Sequence, residues 1–303
     1  MNNLQLEFKA SFPKIIFNEP LKKHCTFGIG GAADFFYPAT KNKEIKDLIR
    51  FANKYKVPFI TIGKGSNILF HDHGFRGLVI NIKIEKITFH KDSVEAEAGA
   101  SIAKLIFESI KHGFNGLEKW VGLPGTVGGA VFGNAGCNGL EVKDCLIKST
   151  LLEAFTGKEK KVDNKYFRYK YRHSILKEEP ETILSATFRL QKNKLNPEEQ
   201  RKIMEEIQKF RLDQQPKGSS SGSFFKNPSK DQPAGYLIDQ VHLKGQQIGQ
   251  AKISEKHGNF FLNLGGATAQ DILSLAQLAK EKVKERFGLV LEEEVRIIPE
   301  QGL

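Results

Sequence analysis

Residues that could hold a phosphate-bearing ligand cluster in two glycine-rich segments. The longer segment runs from Gly116 to Gly139, GLEKWVGLPGTVGGAVFGNAGCNG, and places apolar residues among its glycines. A flexible linker is polar and rich in Gly and Ser, so this segment is not one. Glycine is used where the backbone comes close to a ligand, whose phosphate oxygens can meet free N–H groups. The segment therefore indicates a ligand cradle; tight turns in a β-rich core are the alternative.

The shorter segment, Gly63-Lys64-Gly65-Ser66-Asn67, stands between two short apolar runs that predict strands, 59–62 and 68–70. It lacks the spacing of a P-loop and does not open a helix as a GxGxxG fingerprint does. A phosphate cradle and a tight strand–turn–strand connection both remain open. Two glycine-rich loops together can hold one dinucleotide, which favours the first interpretation.

Three polar clusters could carry chemistry on such a ligand. Basic and aromatic residues interleave in YFRYKYRHS, residues 166–174. This pattern is typical of a nucleic-acid-stacking strand, or of a site wall where one Arg holds a carboxylate or phosphate. Ser223 beside Lys226 and Asn227 suits an anionic or proton-donating site, with a capped turn as the alternative. The triplet 292–294 supplies three glutamates, and composition does not say which one is functional.

Composition narrows the class of protein. The 303 residues predict two or three domains, and the hydrophobic and charged fractions of 40% and 27% are ordinary for a soluble globular protein. No apolar run reaches membrane-spanning length, and the N-terminus lacks a signal peptide, so we expect a cytoplasmic protein. Three cysteines without metal-like spacing fit a reducing compartment. His71 and His73 are interpreted as surface residues, and no metal site is predicted.

The net charge of +11 raises the question of nucleic-acid binding. The lysines are spread along the whole chain instead of forming one arm. A solvated basic surface together with a groove for small polyanions such as nucleotides is therefore the favoured interpretation.

Helix and strand signals place these segments on a scaffold. Ser101 predicts the cap of a helix that stops at Gly113, and Thr268 the cap of a helix that stops at Gly288. Asn196-Pro197 opens a third helix, with Ile203, Ile207 and Phe210 as its apolar face. Residues 213–223 have the composition of a linker, and residues 289–298 alternate as a closing strand. Periodicity alone predicts a mixed α+β, multidomain chain.

Seven segments, taken in order, resemble the UDP-N-acetylenolpyruvoylglucosamine reductases, a family of FAD enzymes. They are TFGIGGAADFF (26–36), GKGSNILF (63–70), GLPGTVGGAVFGNAG (122–136), YRHS (171–174), GSFFKNP (222–228), HGNFFLNLGGATAQDI (257–272) and LEEEVRII (291–298). The resemblance implies an α+β fold: a two-lobed FAD-binding module of the vanillyl-alcohol-oxidase-like type and a C-terminal substrate domain. The implied boundaries are 1–84, 85–212 and 213–303.

The same resemblance implies the site residues. The catalytic residues would be Arg172, Ser223 and Glu294. The substrate would be bound by Tyr171, Lys226, Asn227, His257 and Asn259. FAD would be bound by Gly63, Lys64, Gly65, Ser66, Asn67, Gly122, Pro124, Gly125, Thr126, Gly128, Gly129, Asn134 and Gly136.

The implied reaction is reduction of UDP-N-acetylglucosamine enolpyruvate to UDP-N-acetylmuramate, a step of peptidoglycan precursor synthesis, with NADPH as hydride source and FAD as carrier. Arg172 would hold the growing carboxylate charge, Glu294 would orient or polarise that carboxylate, and Ser223 would deliver a proton. We expect a monomer that binds neither nucleic acid nor membrane. The alternatives are another FAD oxidoreductase of the superfamily and a basic nucleotide- or RNA-binding protein.

The chain departs from the family pattern at a few positions. Cys137-Asn138 stands where Ala-Tyr is frequent, Phe132-Gly133 where a bulkier Met is common, and Gly258 where Ala is usual. Only 50 residues separate Arg172 from Ser223. The chain therefore resembles the shorter subclass, which lacks an inserted tyrosine-bearing loop.

Overall fold

The computed structural model describes residues 3–179, 181–192 and 195–301. Its strands, in chain order, are β1 (Ile16–Pro20), β2 (Ala32–Ala39), β3 (Phe59–Ile62), β4 (Ile68–Phe70), β5 (Phe75–Ile82), β6 (Ile87–Phe89), β7 (Ser93–Glu97), β8 (Phe114–Asn115), β9 (Gly136–Cys137), β10 (Leu140–Glu141), β11 (Leu146–Glu153), β12 (Glu159–Asp163), β13 (Glu181–Arg189), β14 (Gln191–Lys192), β15 (Gln247–Ile248), β16 (Ala251–Ile253), β17 (Phe261–Asn263) and β18 (Arg296–Ile298).

Helices separate and flank these strands. The α-helices are α1 (Asn3–Ser11), α2 (Asn42–Lys54), α3 (Ile102–Lys111), α4 (Val127–Gly133), α5 (Val142–Cys145), α6 (Pro197–Gln214), α7 (Ala234–Gln240) and α8 (Ala269–Phe287). The larger sheets have the strand orders β1-β2-β5-β3, β12-β11-β13-β7-β6 and β15-β16-β17. The pairs are β10-β9, β14-β8 and β18-β4.

The chain divides into two compact units. Unit 1 comprises Met1–Ile15, Tyr37–Gly63 and Val79–Arg211, and unit 2 comprises Ile16–Phe36, Lys64–Leu78 and Leu212–Leu303. Each unit is assembled from three separate stretches. The sequence-based division at 84/85 and 212/213 remains a prediction about domains.

Unit 1 is built on the antiparallel sheet β12-β11-β13-β7-β6. Strand β13 is buried at most positions, and helix α4 packs against it. Trp120 is fully buried, lies edge-on to the Phe188 ring, and donates from Nε1 to the Leu140 carbonyl at 3.1 Å. Because a buried indole N–H needs an acceptor, this bond joins the beginning of the glycine-rich segment to the residue directly after its end, and the Phe188 contact attaches Trp120 to the core.

Unit 2 has one apolar core that joins distant parts of the sequence. Helix α8 buries Ile272, Leu275, Ala279 and Val283, a 3-4-4 spacing that keeps one helical face inward. Phe27 and Leu69 lie in the same cluster as the Phe224-Phe225 pair. The early segments of unit 2 are therefore part of its hydrophobic core.

The predicted helix signals are confirmed where side-chain capping defines them. Ser101 accepts from the Lys104 N–H, and Thr268 forms a capping box with Asp271. The Asn196 side chain accepts from the Glu198 and Glu199 N–H groups at 3.0 and 2.9 Å. These local signals depend on short side chains that reach the first free N–H groups of a helix, so tertiary context does not override them.

Two predictions are wrong in part. Phe210 is predicted on the apolar face of α6 with Ile203 and Ile207, but it is 62% exposed, and the buried side chain among the described residues of α6 is Gln200, which donates to the Phe114 carbonyl at 2.9 Å. The closing strand was predicted over 289–298, but only Arg296–Ile298 is a strand. The glutamates interrupt the alternation, and the preceding residues instead form single bonds to the segment after Ser223.

Candidate active site

The loop from Gly63 to Asn67 connects strands of two different sheets. Strand β3 before it belongs to the sheet β1-β2-β5-β3, and strand β4 after it pairs in parallel with β18. The loop is thus a short strand–turn–strand connection, but it is not a hairpin, because β3 and β4 are not paired with each other. A Cβ on Gly63 would overlap the Thr126 hydroxyl, and a Cβ on Gly65 would overlap the His24 carbonyl. The loop backbone is thus in close contact on both sides, which requires glycine.

We expect Gly63→Ala to lower the free energy of unfolding by about 1–3 kcal/mol, because its methyl group would collide with the Thr126 side chain. Gly133→Ala is the matched control, since no atom lies within 4 Å of a Cβ at that position. Urea unfolding of both variants measures the difference. In the double variant Gly63→Ala/Thr126→Ala, the loss of unfolding free energy should be smaller than the sum of the losses in the two single variants. A loss equal to that sum would exclude the collision as the cause.

Helix α4 begins inside the longer glycine-rich segment, and its first N–H groups are already used. Val127 and Gly128 donate to the Ala100 and Ala98 carbonyls at 2.9 Å, and Gly129 donates to Thr126 Oγ1 at 3.4 Å. A Cβ on Gly128 would lie 3.0 Å from the Ala98 methyl carbon. Gly128 therefore allows the close approach of α4 to Ala98, and the N–H groups of Gly128 and Gly129 are not free in the way that the sequence suggested.

Asn134 ends α4 in the left-handed conformation, with φ 47° and a fully buried side chain. Its Nδ2 donates to Glu141 Oε2 at 3.1 Å and to the Lys170 carbonyl at 3.0 Å. Its Oδ1 accepts from the Lys143 N–H at 3.0 Å. The amide therefore joins the end of α4 to two neighbouring segments.

A two-residue hairpin follows Asn134. Strands β9 and β10 pair Cys137 with Leu140, and the turn residues Asn138 and Gly139 have φ of 51° and 76°. Positive φ at both positions is the requirement of a type I′ turn, for which Asn-Gly is the favoured pair. The departure at Cys137-Asn138 thus has a local explanation. The Asn-Gly pair was the available signal for this hairpin, which the sequence analysis missed.

Arg172 lies in a tight turn of unit 1. Lys170 and His173 exchange backbone hydrogen bonds of 3.1 Å, and Arg172 between them has φ 53°. A type II turn places glycine at this position, so a side chain there is strained. Backbone strain of this kind persists where the surrounding structure enforces it, and it is concentrated at functional sites.

The surroundings fix this turn on both sides. Tyr169 donates from its hydroxyl to the Val131 carbonyl at 2.9 Å, and Ser174 donates to the Phe132 carbonyl at 2.6 Å. Arg172 Nη2 donates to the Gly136 carbonyl at 2.8 Å, and its guanidinium lies 5.1 Å from the Tyr171 ring centroid. Burial raises the pKa of Tyr169, so its hydroxyl stays a neutral donor. The turn therefore holds a guanidinium in a defined place.

Most aromatic residues of the 166–174 run are unavailable for base stacking. Phe167 is fully buried against the Tyr169 ring, and Tyr166 bonds through its hydroxyl to Lys160 and Glu181. Tyr171, at 44% exposure, is the exception. A nucleic-acid-stacking strand presents a series of exposed rings, and this run does not.

In unit 2, the segment from Ser223 to Lys226 lies between two others. The Phe224 N–H donates to the Asn259 carbonyl at 2.8 Å, and the Phe224 carbonyl accepts from the Glu294 N–H at 2.8 Å. Lys226 pairs with Glu292 at 3.0 Å. The backbone beside Ser223 is therefore bonded directly to Glu294, so unit 2 brings these two predicted catalytic residues into neighbouring segments.

Asn67 links the shorter glycine-rich loop to the same place. Its Nδ2 donates to the Glu294 carbonyl at 3.0 Å, and its carbonyl accepts from the Arg296 N–H at 3.0 Å. A residue predicted to bind FAD thus also fixes the backbone of a residue predicted to be catalytic.

Asn259 and His257 support the Ser223 segment from the other side. The buried Asn259 amide donates to the Phe225 carbonyl at 2.8 Å and accepts from the Phe225 N–H at 2.9 Å. The Asn259 N–H donates to His257 Nδ1 at 3.2 Å. Asn227 accepts from the Ala234 N–H at 3.0 Å. Three of the predicted substrate contacts therefore have partners within unit 2.

The stability of the protein is expected to fall as the pH drops below about 6.5, because burial, with a smaller effect of Lys244, lowers the pKa of His257. In the unfolded chain this ring takes up a proton below that pH, whereas in the folded chain it must stay neutral to accept from Asn259. Above pH 6.5 both states are neutral and the effect vanishes. Melting temperatures between pH 5 and 8 measure this effect. In His257→Asn the melting temperature should depend less steeply on pH below 6.5. An unchanged pH dependence would contradict the role of His257.

The predicted site residues are distributed over both units. Unit 1 holds Gly63, Gly122, Pro124, Gly125, Thr126, Gly128, Gly129, Asn134, Gly136, Tyr171 and Arg172. Unit 2 holds Lys64, Gly65, Ser66, Asn67, Ser223, Lys226, Asn227, His257, Asn259 and Glu294.

One further feature of unit 1 is consistent with a bound dinucleotide. Asn81 on β5 is buried and donates to the Gly63 carbonyl, and within the described residues its Oδ1 has no hydrogen-bond partner. A buried acceptor beside a glycine-rich loop suits a bound molecule that carries donors. Sequence analysis missed this residue; its signal was one amide inside the apolar run Leu78–Ile82.

Two other features bear on the class of site. The described parts of the chain contain no group of three or more His, Cys, Asp or Glu side chains arranged to hold a metal ion. Among those same residues, no helix has both the length and the apolar composition needed to cross a membrane.

Comparison with known proteins decides the family. An FAD binding domain model matches residues 33–162, and the model of the UDP-N-acetylenolpyruvoylglucosamine reductase C-terminal domain matches residues 214–298. A UDP-N-acetylenolpyruvoylglucosamine reductase of Bacillus pumilus is 36% identical, with 100% of both chains covered. The chain belongs to the UDP-N-acetylenolpyruvoylglucosamine reductase family. The same-named protein of Bacillus subtilis is 38% identical over 94% of each chain.

Solved structures agree with this family. The reductase (MurB) of Thermus caldophilus has a TM-score of 0.78 and 32% identity, and the alignment covers 93% of this chain and 97% of that one. A glucose dehydrogenase at 11% identity, with a TM-score of 0.51, shares the fold alone. The α+β fold of the FAD-binding type that the resemblance implied is therefore confirmed for this reductase family member.

Proposed function

We propose that the chain catalyses the NADPH-dependent reduction of UDP-N-acetylglucosamine enolpyruvate to UDP-N-acetylmuramate, with FAD as its cofactor. The observation that carries this proposal is Arg172, held in a strained turn by partners on both sides in a chain that belongs to the reductase family along its whole length. Because backbone strain is concentrated at functional sites, a strained turn that holds a guanidinium supports a functional role for that guanidinium.

FAD would be held by the backbone of Gly122, Pro124, Gly125 and Thr126 and by the loop from Gly63 to Asn67. Because the N–H groups of Gly128 and Gly129 have partners within the chain, we assign Gly128 to the packing of α4 and Gly129 to its N-terminal cap. Asn134 would act on the cofactor indirectly, by fixing the backbone between α4 and the β9–β10 hairpin. When bound, FAD carries a hydride from NADPH to the substrate.

Three side chains of the protein act on the substrate in this proposal. Arg172 holds the carboxylate with its planar, always-charged fork and stabilises the charge that grows there during reduction. Glu294 orients the same carboxylate. Ser223 donates its hydroxyl proton to the carbon next to the carboxylate. An alcohol is a weak acid, so this transfer needs a strongly basic carbon and a fixed geometry, and the backbone bonds of the next residue, Phe224, to Asn259 and Glu294 support the second condition.

Substrate binding is assigned to exposed or exchangeable groups. Tyr171 is 44% exposed beside Arg172, and Lys226 pairs with Glu292, an exposed carboxylate that an anionic substrate can replace. His257 and Asn259 would support the site through the Ser223 segment, since their contacts lie within unit 2. We further propose that the chain works as a monomer in the cytoplasm and does not bind nucleic acid.

An anaerobic flavin titration tests the function. The visible spectrum of the purified protein is recorded, NADPH is added to bleach it, and UDP-N-acetylglucosamine enolpyruvate follows. Bleaching and then recovery of the oxidised spectrum without oxygen would support both half-reactions. Bleaching without recovery would keep a flavoprotein but contradict the substrate, and protein that takes up no FAD would contradict the whole proposal.

A further inference from the structure

Asn81 is the one amide in the otherwise apolar run Leu78–Ile82 of β5. It is 3% exposed, and Val79 and Ile80 beside it are fully buried. Its Nδ2 lies 3.4 Å from the Gly63 carbonyl, the long limit of a hydrogen bond. Its Oδ1 is also buried, and no donor of the described residues reaches it. The side chain is therefore only half satisfied by the protein.

An unpaired buried carbonyl oxygen is uncommon in folded proteins, because it has lost its water without gaining a donor. Since no described residue supplies the donor, a water molecule or a ligand is the expected source. Two features favour a ligand. The amide that carries this oxygen contacts Gly63, the first residue of the glycine-rich loop, through Nδ2, and a Cβ on Gly63 would reach Thr126 of the second glycine-rich segment.

We propose that Asn81 Oδ1 accepts a hydrogen bond from an N–H or O–H group of FAD. This inference rests on the flavin function proposed above. FAD carries sugar hydroxyls, an adenine amino group and an imide N–H, so it can supply the donor that the chain lacks. One amide would then contact the Gly63 loop through Nδ2 and the cofactor through Oδ1, so that Asn81 contributes to cofactor affinity although it lies outside both glycine-rich segments.

Asn81→Leu tests the proposal, because leucine has nearly the same size and shape and lacks the acceptor. FAD is titrated into apoprotein, and binding is followed by quenching of flavin fluorescence. We expect the Kd for FAD to rise about tenfold, which corresponds to about 1.4 kcal/mol. The melting temperature of the apoprotein should fall only slightly, since within the described residues the variant removes one long contact, Nδ2 to the Gly63 carbonyl at 3.4 Å, together with an oxygen that the bound cofactor would satisfy.

Ser109→Ala is the matched control. Ser109 is equally buried in unit 1, but its hydroxyl donates to the Leu105 carbonyl at 2.7 Å. This variant should shift the melting temperatures of apoprotein and holoprotein by the same amount and leave the Kd for FAD unchanged. It therefore shows how a buried polar group with an internal partner behaves.

The opposite pattern for Asn81→Leu would overturn the proposal. An unchanged Kd, with equal losses of stability in both forms, would mean that a water molecule is the donor. Wild-type protein that does not bind FAD would instead contradict the flavin function itself. If the leucine variant does not fold, the Kd of Asn81→Ala decides between the same two outcomes.

Discussion

Ser223→Ala should slow the reoxidation of reduced flavin by UDP-N-acetylglucosamine enolpyruvate about 10²–10⁴-fold, the usual contribution of a positioned proton donor. Reduction of the flavin by NADPH should keep its rate, because that step needs no proton from Ser223. The fold should tolerate the change, since Ser223 is half-buried and the bonds that fix its segment are made by the backbone. Anaerobic stopped-flow of the two half-reactions separates these rates.

Two further variants sharpen this test. Ser223→Cys keeps an ionisable donor at the position and should retain part of the reoxidation rate. Ser219→Ala removes an exposed hydroxyl from the same stretch and should change neither half-reaction. Equal slowing of both half-reactions by Ser223→Ala would show a general disturbance of the site instead of a proton-donating role.

Arg172→Ala should lower kcat about 10²–10³-fold, the usual effect of removing one group that stabilises transition-state charge. Arg172→Lys should recover only part of this loss, because an ammonium group cannot bind a carboxylate with two parallel hydrogen bonds. Steady-state kinetics of the two variants gives both numbers. Full activity in Arg172→Lys would contradict the bidentate role.

Arg172→Gly separates backbone strain from charge. At φ 53° glycine is unstrained and alanine is not, so the glycine variant should unfold with about 1 kcal/mol more free energy than Arg172→Ala. The two variants should be equally inactive because both lack the guanidinium. A glycine variant that is no more stable than the alanine variant would show that the turn does not store strain.

Sequence patterns predicted the features that depend on neighbouring residues. The caps at Ser101 and Thr268 are determined by contacts within a few positions, and the structure confirms them, as it confirms the strand predicted at 59–62 from its apolar run. The exposure of Phe210 could not be predicted from neighbouring residues. Helical spacing shows which side chains share a face, but it does not show whether another element packs against that face.

The same limit applies to the candidate active site, where sequence patterns predicted residue types but not their tertiary contacts. The residue types of the Arg172, Ser223 and Glu294 segments were visible in the sequence, but the supports of each were not. Arg172 depends on α4 and on the β9–β10 hairpin through its own contact to Gly136 and those of Tyr169 and Ser174. Asn81 was hidden because a single amide in an apolar strand has no motif, and its unpaired oxygen exists only in three dimensions.

The parallel pairing of β4 with β18 sets an order of events during synthesis. Ile68, Leu69 and Phe70 leave the ribosome early, but their hydrogen-bonding partners are residues 296–298. The core that encloses Phe27 and Leu69 likewise needs α8. Unit 2 can therefore close only when the chain is nearly complete, and its early segments stay exposed until then. A nascent chain stalled before α8 should consequently be far more sensitive to protease at residues 64–78 than the finished protein.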